Sequence, residues 1–423
     1  LPLDCPICDK AGESPLQDYS FNYGSVESRY GEFKRTYPGM DRTAIGPHVI
    51  QNMNRCIHFT RCIRFTQENT GTSELAFFKR GASTEVGVFP GTPLDNWMSA
   101  CVTDVCPTGA LTPREFRFES RVWNLDSTES VCNGCDVGCN LFIGHRSGQV
   151  FRYRPRVNPE VNDHWLCDYG RFSYEQYETD RVVVPKVRTE DDYLAISTWQ
   201  EALEAIDKGC ASAKNLAIIA SAQMTNEEAW MAKTLAAKWS ALQKVTIGVM
   251  VDPIGPIKMK SRTEWIVGDQ AGPNFRGVQR VVGEASIDDL LTNGAEGVDV
   301  LYTLDARFSD RTKDPPVIAN LRKAKFLIVH SWEADHPLTE VADVLIPGAT
   351  LPEKEGTFTN LQGRVQGIHQ AFPPKGQAVT DLEALRRVGA RLFPNDASFS
   401  SADALDVFAT LRAESPEIAE VSA

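Results

Sequence analysis

The sequence predicts an α/β protein in two unlike parts. The first is an irregular α+β half held together by metal clusters, and the second is built on a mostly parallel sheet. Three observations carry this expectation. Ten of the eleven cysteines lie before residue 168, in short-spaced groups. The same stretch is rich in Gly, Pro and Arg with few long periodic segments, and ordered loops of that kind need a staple. Beyond about residue 180, short apolar runs alternate with amphipathic ones, as strands alternate with crossover helices.

Bulk properties narrow the function classes. The 423 residues suffice for several domains and at least one large core, and 42% hydrophobic with 24% charged residues is ordinary for a soluble chain. A net charge of −12 argues against a nucleic-acid partner. The local exception is Arg152, Arg154 and Arg156 in "FRYRPR", read as a solvated face or a partner contact. No run of 18 apolar residues is present, so no bilayer-spanning helix is expected. The chain opens on Leu1, already inside a motif, which suggests a fragment or a trimmed chain. Cysteines grouped in a large chain without a secretory signal point to metal or cluster binding in a reducing compartment, not to disulfides.

The second half reads element by element. Thr198-x-x-Glu201 is a capping box opening the helix "WQEALEAIDKG", which Gly209 is expected to end. "NLAIIASA" follows as a buried strand. Thr225-x-x-Glu228 opens a second helix, and "KVTIGVMV" is the next strand. After a loop-rich stretch come the strands "VDVLYTLDA", "KFLIVHSW" and "VADVLIPGA", with the helix "PPVIANLRKA" among them. Gly248, Gly255, Gly268 and Gly272 are assigned to loops and form no phosphate-binding fingerprint.

The cysteines of the first half form three groups. Cys132-x2-Cys135-x3-Cys139-x27-Cys167 offers three thiolates from one tight loop and a fourth from a returning strand, a layout that suits a [4Fe–4S] cube. Tetrahedral zinc is the alternative, although zinc ribbons usually present two Cys-x-x-Cys knuckles. Cys56 and Cys62 lie six apart in "RCIHFTRCIRF", with Phe59 midway, and Cys106 sits in a later Cys-Pro step. Alone, these would pass for small buried hydrophobes. Cys5 and Cys8 form a Cys-x-x-Cys that is weak evidence by itself. Cys210 reads as structural.

Taken together and in order, "PLDCPICDKAGE", "RCIHFTRCIRFT", "DVCPTGALT", "FRFESRVWNL", "SVCNGCDVGCN", "PRVNPEVNDHWLCDYGRF" and "ADVLIPGATLPEKEGTFTNLQGRVQ" resemble the G-subunit family of NADH:quinone oxidoreductase, the large iron–sulfur component of respiratory complex I. The resemblance is close over residues 1 to 181 and looser over 182 to 423. It implies ferredoxin-like cluster modules followed by a shortened molybdopterin-oxidoreductase-like domain, divided as 1–42, 43–122, 123–181 and 182–423. The family's N-terminal [2Fe–2S] domain would precede Leu1.

The resemblance also assigns ligands. The family's first tetranuclear cluster uses His-x3-Cys-x2-Cys-x5-Cys, where this chain has Leu1, Cys5, Cys8 and Ser14. The next cluster's four cysteines fall on Cys56, Phe59, Cys62 and Cys106, so one is missing. Cys101 is either a replacement ligand for Phe59 or an ordinary buried thiol. Only Cys132, Cys135, Cys139 and Cys167 are complete. In related molybdenum enzymes a Lys or Arg stands two residues after the last cysteine; here it is Tyr169, so no molybdopterin is expected. The implied function is an electron-transfer subunit passing electrons from NADH toward quinone, with both substrate sites on other subunits. It would sit among peripheral-arm subunits, the NADH/flavin-binding one included, on the cytoplasmic face of the membrane without a direct span. The alternatives are a cluster-depleted structural or assembly paralogue and a molybdopterin-dependent oxidoreductase.

Overall fold

The computed structural model describes all residues except 1–4, 26, 28–29, 34, 179, 242–243, 251, 261–264, 284–286, 305–312, 400–403, 415–420 and 423. The first half is a chain of small sheets. Strands β1 (Thr43–Ala44), β2 (Val49–Gln51) and β5 (Leu111–Pro113) form one, in that order, and β3 (Leu75–Phe78) pairs with β4 (Glu85–Val88). A longer antiparallel meander follows: β6 (Asp126–Val131), β7 (Asn140–Arg146) and β8 (Gln149–Pro155). Its apolar residues Val131, Leu141, Ile143, Val150 and Tyr153 share one core with the buried cysteines.

The second half is a seven-stranded sheet. Beyond the antiparallel edge of β9 (Lys186–Arg188) and β10 (Leu194–Ile196), its strands are β11 (Asn215–Ser221), β12 (Lys244–Met250), β15 (Val300–Leu304), β16 (Phe326–Ser331) and β17 (Val344–Pro347). The order is β10-β9-β17-β16-β15-β11-β12, and the last five strands run parallel. Successive side chains point to opposite faces, so each strand feeds two cores. Leu216, Ile218 and Ala220 of β11 pack on one face with Val300, Tyr302, Ile328 and Val344, while Ala217 and Ile219 join Leu301, Leu327, Val329 and Leu345 on the other. Burial on both faces explains the near-continuous apolar runs in the sequence. Both capping boxes form, at Thr198 before the helix Trp199–Cys210 and at Thr225 before the helix Asn226–Ser240.

Two sequence expectations are corrected here. The first helix does not end at Gly209 but runs on to Cys210. Gly209 serves a close approach instead, since a Cβ there would lie 2.6 Å from the ring of Phe326. The loop-rich stretch after β12 is an antiparallel hairpin, β13 (Asp252–Lys260) with β14 (Trp265–Ala271). Gly255 and Gly268 therefore lie in strands, not loops, and Gly248 lies within β12. Gly255 has φ +75° at a register shift between Pro253 and Ile257. A hairpin with only one neighbour tolerates Pro and a bulge, and these residues hid its strand signal. A last hairpin, β18 (Gly356–Thr359) and β19 (Val365–Ile368), reaches back toward the cysteine-rich half.

Candidate cluster sites

The Cys132–Cys139 segment is the loop joining β6 to β7. Pairing of Val131 with Asn140 ends the ladder, and the Cys132 N–H donates to the Cys139 carbonyl at 2.7 Å. This closes the loop and turns three sulfurs inward. Cys167 supplies the fourth, but from a helix N-terminus and not from a returning strand. It caps the short helix Asp168–Arg171, its sulfur accepting from the Gly170 N–H at 3.4 Å. Gly170 must be a glycine here, because a Cβ would stand 2.6 Å from the Cys132 sulfur.

All four cysteines are buried, at 3–4% exposure. Further N–H donors reach their sulfurs, from Gly134 to Cys132 at 3.3 Å and from Val137 to Cys135. Burial first, then the neighbouring thiols, pushes Cys135 and Cys139 well above the ordinary thiol range. The same burial takes Cys167 to about 12. Cluster loading must therefore displace protons. Among the described residues no three His, Cys, Asp or Glu side chains stand at the spacing of a single metal ion. The four thiols are close enough to act on one another electrostatically, and four thiolates are the ligand set of a cube. A bound cubane would supply one-electron transfer, and the N–H donors and burial would tune it.

The second half clamps this loop, which the sequence did not announce. Asn360 Nδ2 donates to the Val137 carbonyl and Gln366 Nε2 to that of Gly138, each at 3.1 Å. The Leu361 N–H donates to the Asp136 carbonyl at 2.8 Å, and Gln223 Nε2 to that of Asn133 at 3.1 Å. The only sequence signal was the polar run "TNLQGRVQ", whose Asn360 and Gln366 are buried. Its anchor is a third capping box, Thr350-x-x-Glu353, whose Glu353 also forks onto Arg181 at 2.7 Å. Next to it, the buried Lys354 ammonium bridges Glu228 and Asp381.

The second group is brought together but differs in character. Cys56, Cys62 and Cys106 line one cavity of about 30 Å³ with Phe59. Burial, then Cys106 and Cys56, pushes the Cys62 thiol to about 12. The Cys106 thiol donates to the Thr108 carbonyl at 3.2 Å. Phe59 does not plug the cavity. Its ring is 47% exposed at the rim, with the Arg61 guanidinium 4.6 Å above it. His58 and Thr60, on either side of Phe59, hold φ of 54° and 67°. Such left-handed residues cost about 1–3 kcal/mol each and collect at ligand clamps. Cys101 is set apart from this group. Its thiol donates to the Leu166 carbonyl at 3.1 Å and lies 3.6 Å from Arg171 Nη2.

Of the first group, Leu1 lies outside the described residues. Cys8 is buried and Cys5 half-buried. The Ser14 hydroxyl is committed elsewhere: it caps the helix Pro15–Tyr23 and donates to the Pro107 carbonyl at 3.2 Å. Of the "FRYRPR" arginines Arg154 is exposed, as a solvated face would be, whereas Arg152 and Arg156 are half-buried. Arg152 forks onto Glu13 at 2.9 and 2.7 Å, Arg154 meets the same carboxylate at 2.7 Å, and Arg156 pairs with Glu129 at 3.2 Å. Arg152 and Arg154 tie the first segment to the meander through Glu13. Cys210 packs in the core of the second half.

The sheet reverses its winding between β11 and β15, where open α/β sheets bind ligands at the strand ends. On the β11 side protein fills that crevice. Ala222, Met224 and Thr225 are buried, Asn274 bonds to both the Ala222 and Met224 carbonyls, and a Cβ on Gly272 would lie 2.6 Å from that of Ala222. This packing leaves no room for a pterin on the β11 side. Among the described residues no helix is long and apolar enough to cross a membrane.

Known proteins match these regions. Residues 46–112 match the ferredoxin-like domain of NADH-quinone oxidoreductase subunit 3, and residues 125–175 the NDSU1/NuoG-like 4Fe-4S domain of NADH-ubiquinone oxidoreductase. Residues 266–391 match the molybdopterin oxidoreductase family. The G subunit of the NADH-quinone oxidoreductase of Streptomyces coelicolor is 30% identical over 407 residues, covering 92% of this chain and 46% of that protein. The NADH-ubiquinone oxidoreductase 75 kDa subunit of Reclinomonas americana is 39% identical over 51% of this chain and 30% of its own length. The G subunit of the Rickettsia felis enzyme is 39% identical over 56% of this chain and 35% of its own. The chain thus spans less than half the length of these curated relatives. Two iron–sulfur domains followed by a molybdopterin oxidoreductase domain, in one order and one chain, make this protein similar to the G subunits of NADH-quinone oxidoreductases over 92% of its length.

Proposed function

We propose that the chain carries one [4Fe–4S] cluster, on Cys132, Cys135, Cys139 and Cys167, and serves as an iron–sulfur electron-transfer component of an NADH:quinone oxidoreductase. Its partners on this reading are other subunits of that complex, including the one that binds NADH and flavin, on the cytoplasmic face of the membrane. The observation that carries it is a set of four buried, mutually interacting thiols with backbone N–H donors on their sulfurs. The segments 1–42, 43–122, 123–181 and 182–423 then divide the labour. The third holds the cluster and the fourth clamps it, while the first two keep the fold with incomplete ligand sets. Anaerobic reconstitution should give about 4 iron atoms per chain, as one tetranuclear cluster requires. Cys135→Ala should remove most of the thiolate-to-iron absorbance; absorbance that survives intact overturns the assignment. A structural or assembly role is the second reading, favoured by the ligand lost at Phe59 and by Ser14 serving as a helix cap. A chain that binds no iron yet still joins the complex would establish it.

A further inference from the structure

Between the two cysteine sites lies a buried ion network centred on Arg171. The Arg171 N–H donates to the Cys167 carbonyl at 2.8 Å, so the residue is fixed to a ligand of the four-thiol site. Its enclosed guanidinium forks onto the Asp104 carboxylate and touches the Cys101 sulfur. Asp104 belongs to the helix Cys101–Val105, whose C-terminal cap is Cys106 of the three-thiol site. Asp168 approaches the same helix from the other end, accepting from Ser99 Oγ at 2.7 Å and from the Ala100 N–H at 3.0 Å. One short helix and one cation therefore connect Cys106 with Cys167.

A buried pair of this kind is a weak stabiliser, because desolvation offsets most of the attraction. Beside a redox centre it has a second use. Reduction adds a negative charge, and a fixed cation in the low-dielectric interior favours that charge without salt screening. The guanidinium reaches the neighbourhood of Cys167 through Cys101, whose thiol donates to the carbonyl of the adjacent Leu166.

We propose that Arg171 is a positioning residue that raises the reduction potential of the cluster on Cys132, Cys135, Cys139 and Cys167, with Asp104 as its opposing charge. The proposal rests on the cluster assignment above. The test is a redox titration followed by EPR on the full chain, reconstituted anaerobically, with melting measured in parallel. Arg171→Met should disfavour one-electron reduction about tenfold, a fall of ~59 mV. Asp104→Asn, which leaves the cation unbalanced, should shift the midpoint upward. Arg171→Lys, which keeps the charge and loses the fork, should stay near wild type. If Arg171→Met fails to fold, the upward shift of Asp104→Asn decides the matter. Lower melting temperatures with an unmoved midpoint, or shifts of the same sign in Arg171→Met and Asp104→Asn, overturn the proposal alone. A wild-type chain without cluster absorbance overturns the cluster assignment and this proposal with it.

Discussion

At Cys132, Cys135, Cys139 and Cys167, four thiols lie buried, three in a hairpin loop that a second domain holds by its carbonyls and the fourth at a helix N-terminus. At Cys56, Cys62 and Cys106, three thiols line a small cavity near the surface, with an exposed ring at the rim. The second loop nevertheless keeps two left-handed residues around the position of the missing sulfur. On the proposed ligand set, backbone conformation and ligand chemistry come apart there: two residues keep a costly shape beside a position that holds Phe59. In the four-thiol loop, shape, donors and ligands agree. A cluster site is thus a backbone device first and a set of cysteines second.

The strongest way to break this comparison is to restore the sulfur. Phe59→Cys should raise the iron content from about 4 to about 8 per chain and add a new reducible EPR signal. The left-handed residues His58 and Thr60 already present the position, so little reorganisation is needed. If the variant gains no iron, the loop has lost more than a ligand. If wild type already carries about 8, the three-thiol site is competent as it stands and the contrast fails.

A second test acts on the clamp that only one site possesses. Glu227 accepts from the Thr357 N–H at 2.9 Å and from Thr357 Oγ1 at 2.7 Å, and so holds the strand that leads to Asn360. Burial raises its carboxyl from 4.5 to about 7. The folded chain therefore keeps this proton where the unfolded chain releases it. The contribution is full below about pH 4.5 and is lost as pH rises through about 7. Glu227→Gln cannot ionise, so its stability relative to wild type should climb between pH 5 and 7 by on the order of 3 kcal/mol. Denaturant melts at several pH values check this; parallel curves would mean that the carboxyl is not held neutral.

Asn360→Ala cuts the clamp itself. It removes the bond to the Val137 carbonyl and two local bonds, from Gln362 and Arg364, at a cost of roughly 1–3 kcal/mol. Iron should then leave the four-thiol site faster under a chelator. An unchanged rate would show that the loop needs no support from the second domain.

How far the sequence could reach follows the same division between local and distant signals. Capping boxes at Thr198 and Thr225 were legible because their partners lie three residues away. The parallel strands were legible because burial on both faces leaves an unbroken apolar run. The hairpin at residues 252–271 was not, since Pro253, Gly255 and Pro256 carry loop signals in a place where an edge tolerates them. The cysteine groups could be seen, but not the clamp: Asn360 and Gln366 meet residues more than 220 positions earlier, through backbone carbonyls that leave no mark on the partner's side chain. The ion pairs of Arg152 and Arg154 were hidden for a related reason, because their partner Glu13 stands some 140 residues away.

The smallest effect is expected at Cys101, and it sharpens the comparison most finely. This cysteine lies five residues before Cys106 in sequence, close enough to substitute for the sulfur missing at Phe59. The helix Cys101–Val105 turns it the other way, toward the Leu166 carbonyl and Arg171. Burial, only partly opposed by Arg171, holds its thiol at about 12, so it stays protonated at neutral pH. Serine preserves a donor to the carbonyl at nearly the same volume. Cys101→Ser should therefore cost about 1 kcal/mol in a denaturant melt and leave iron and EPR signals unchanged at both sites. Loss of iron from the three-thiol site in this variant would mean that the helix rotates to deliver Cys101 as a ligand. The two sites would then differ in the origin of their fourth sulfur and not in whether they have one.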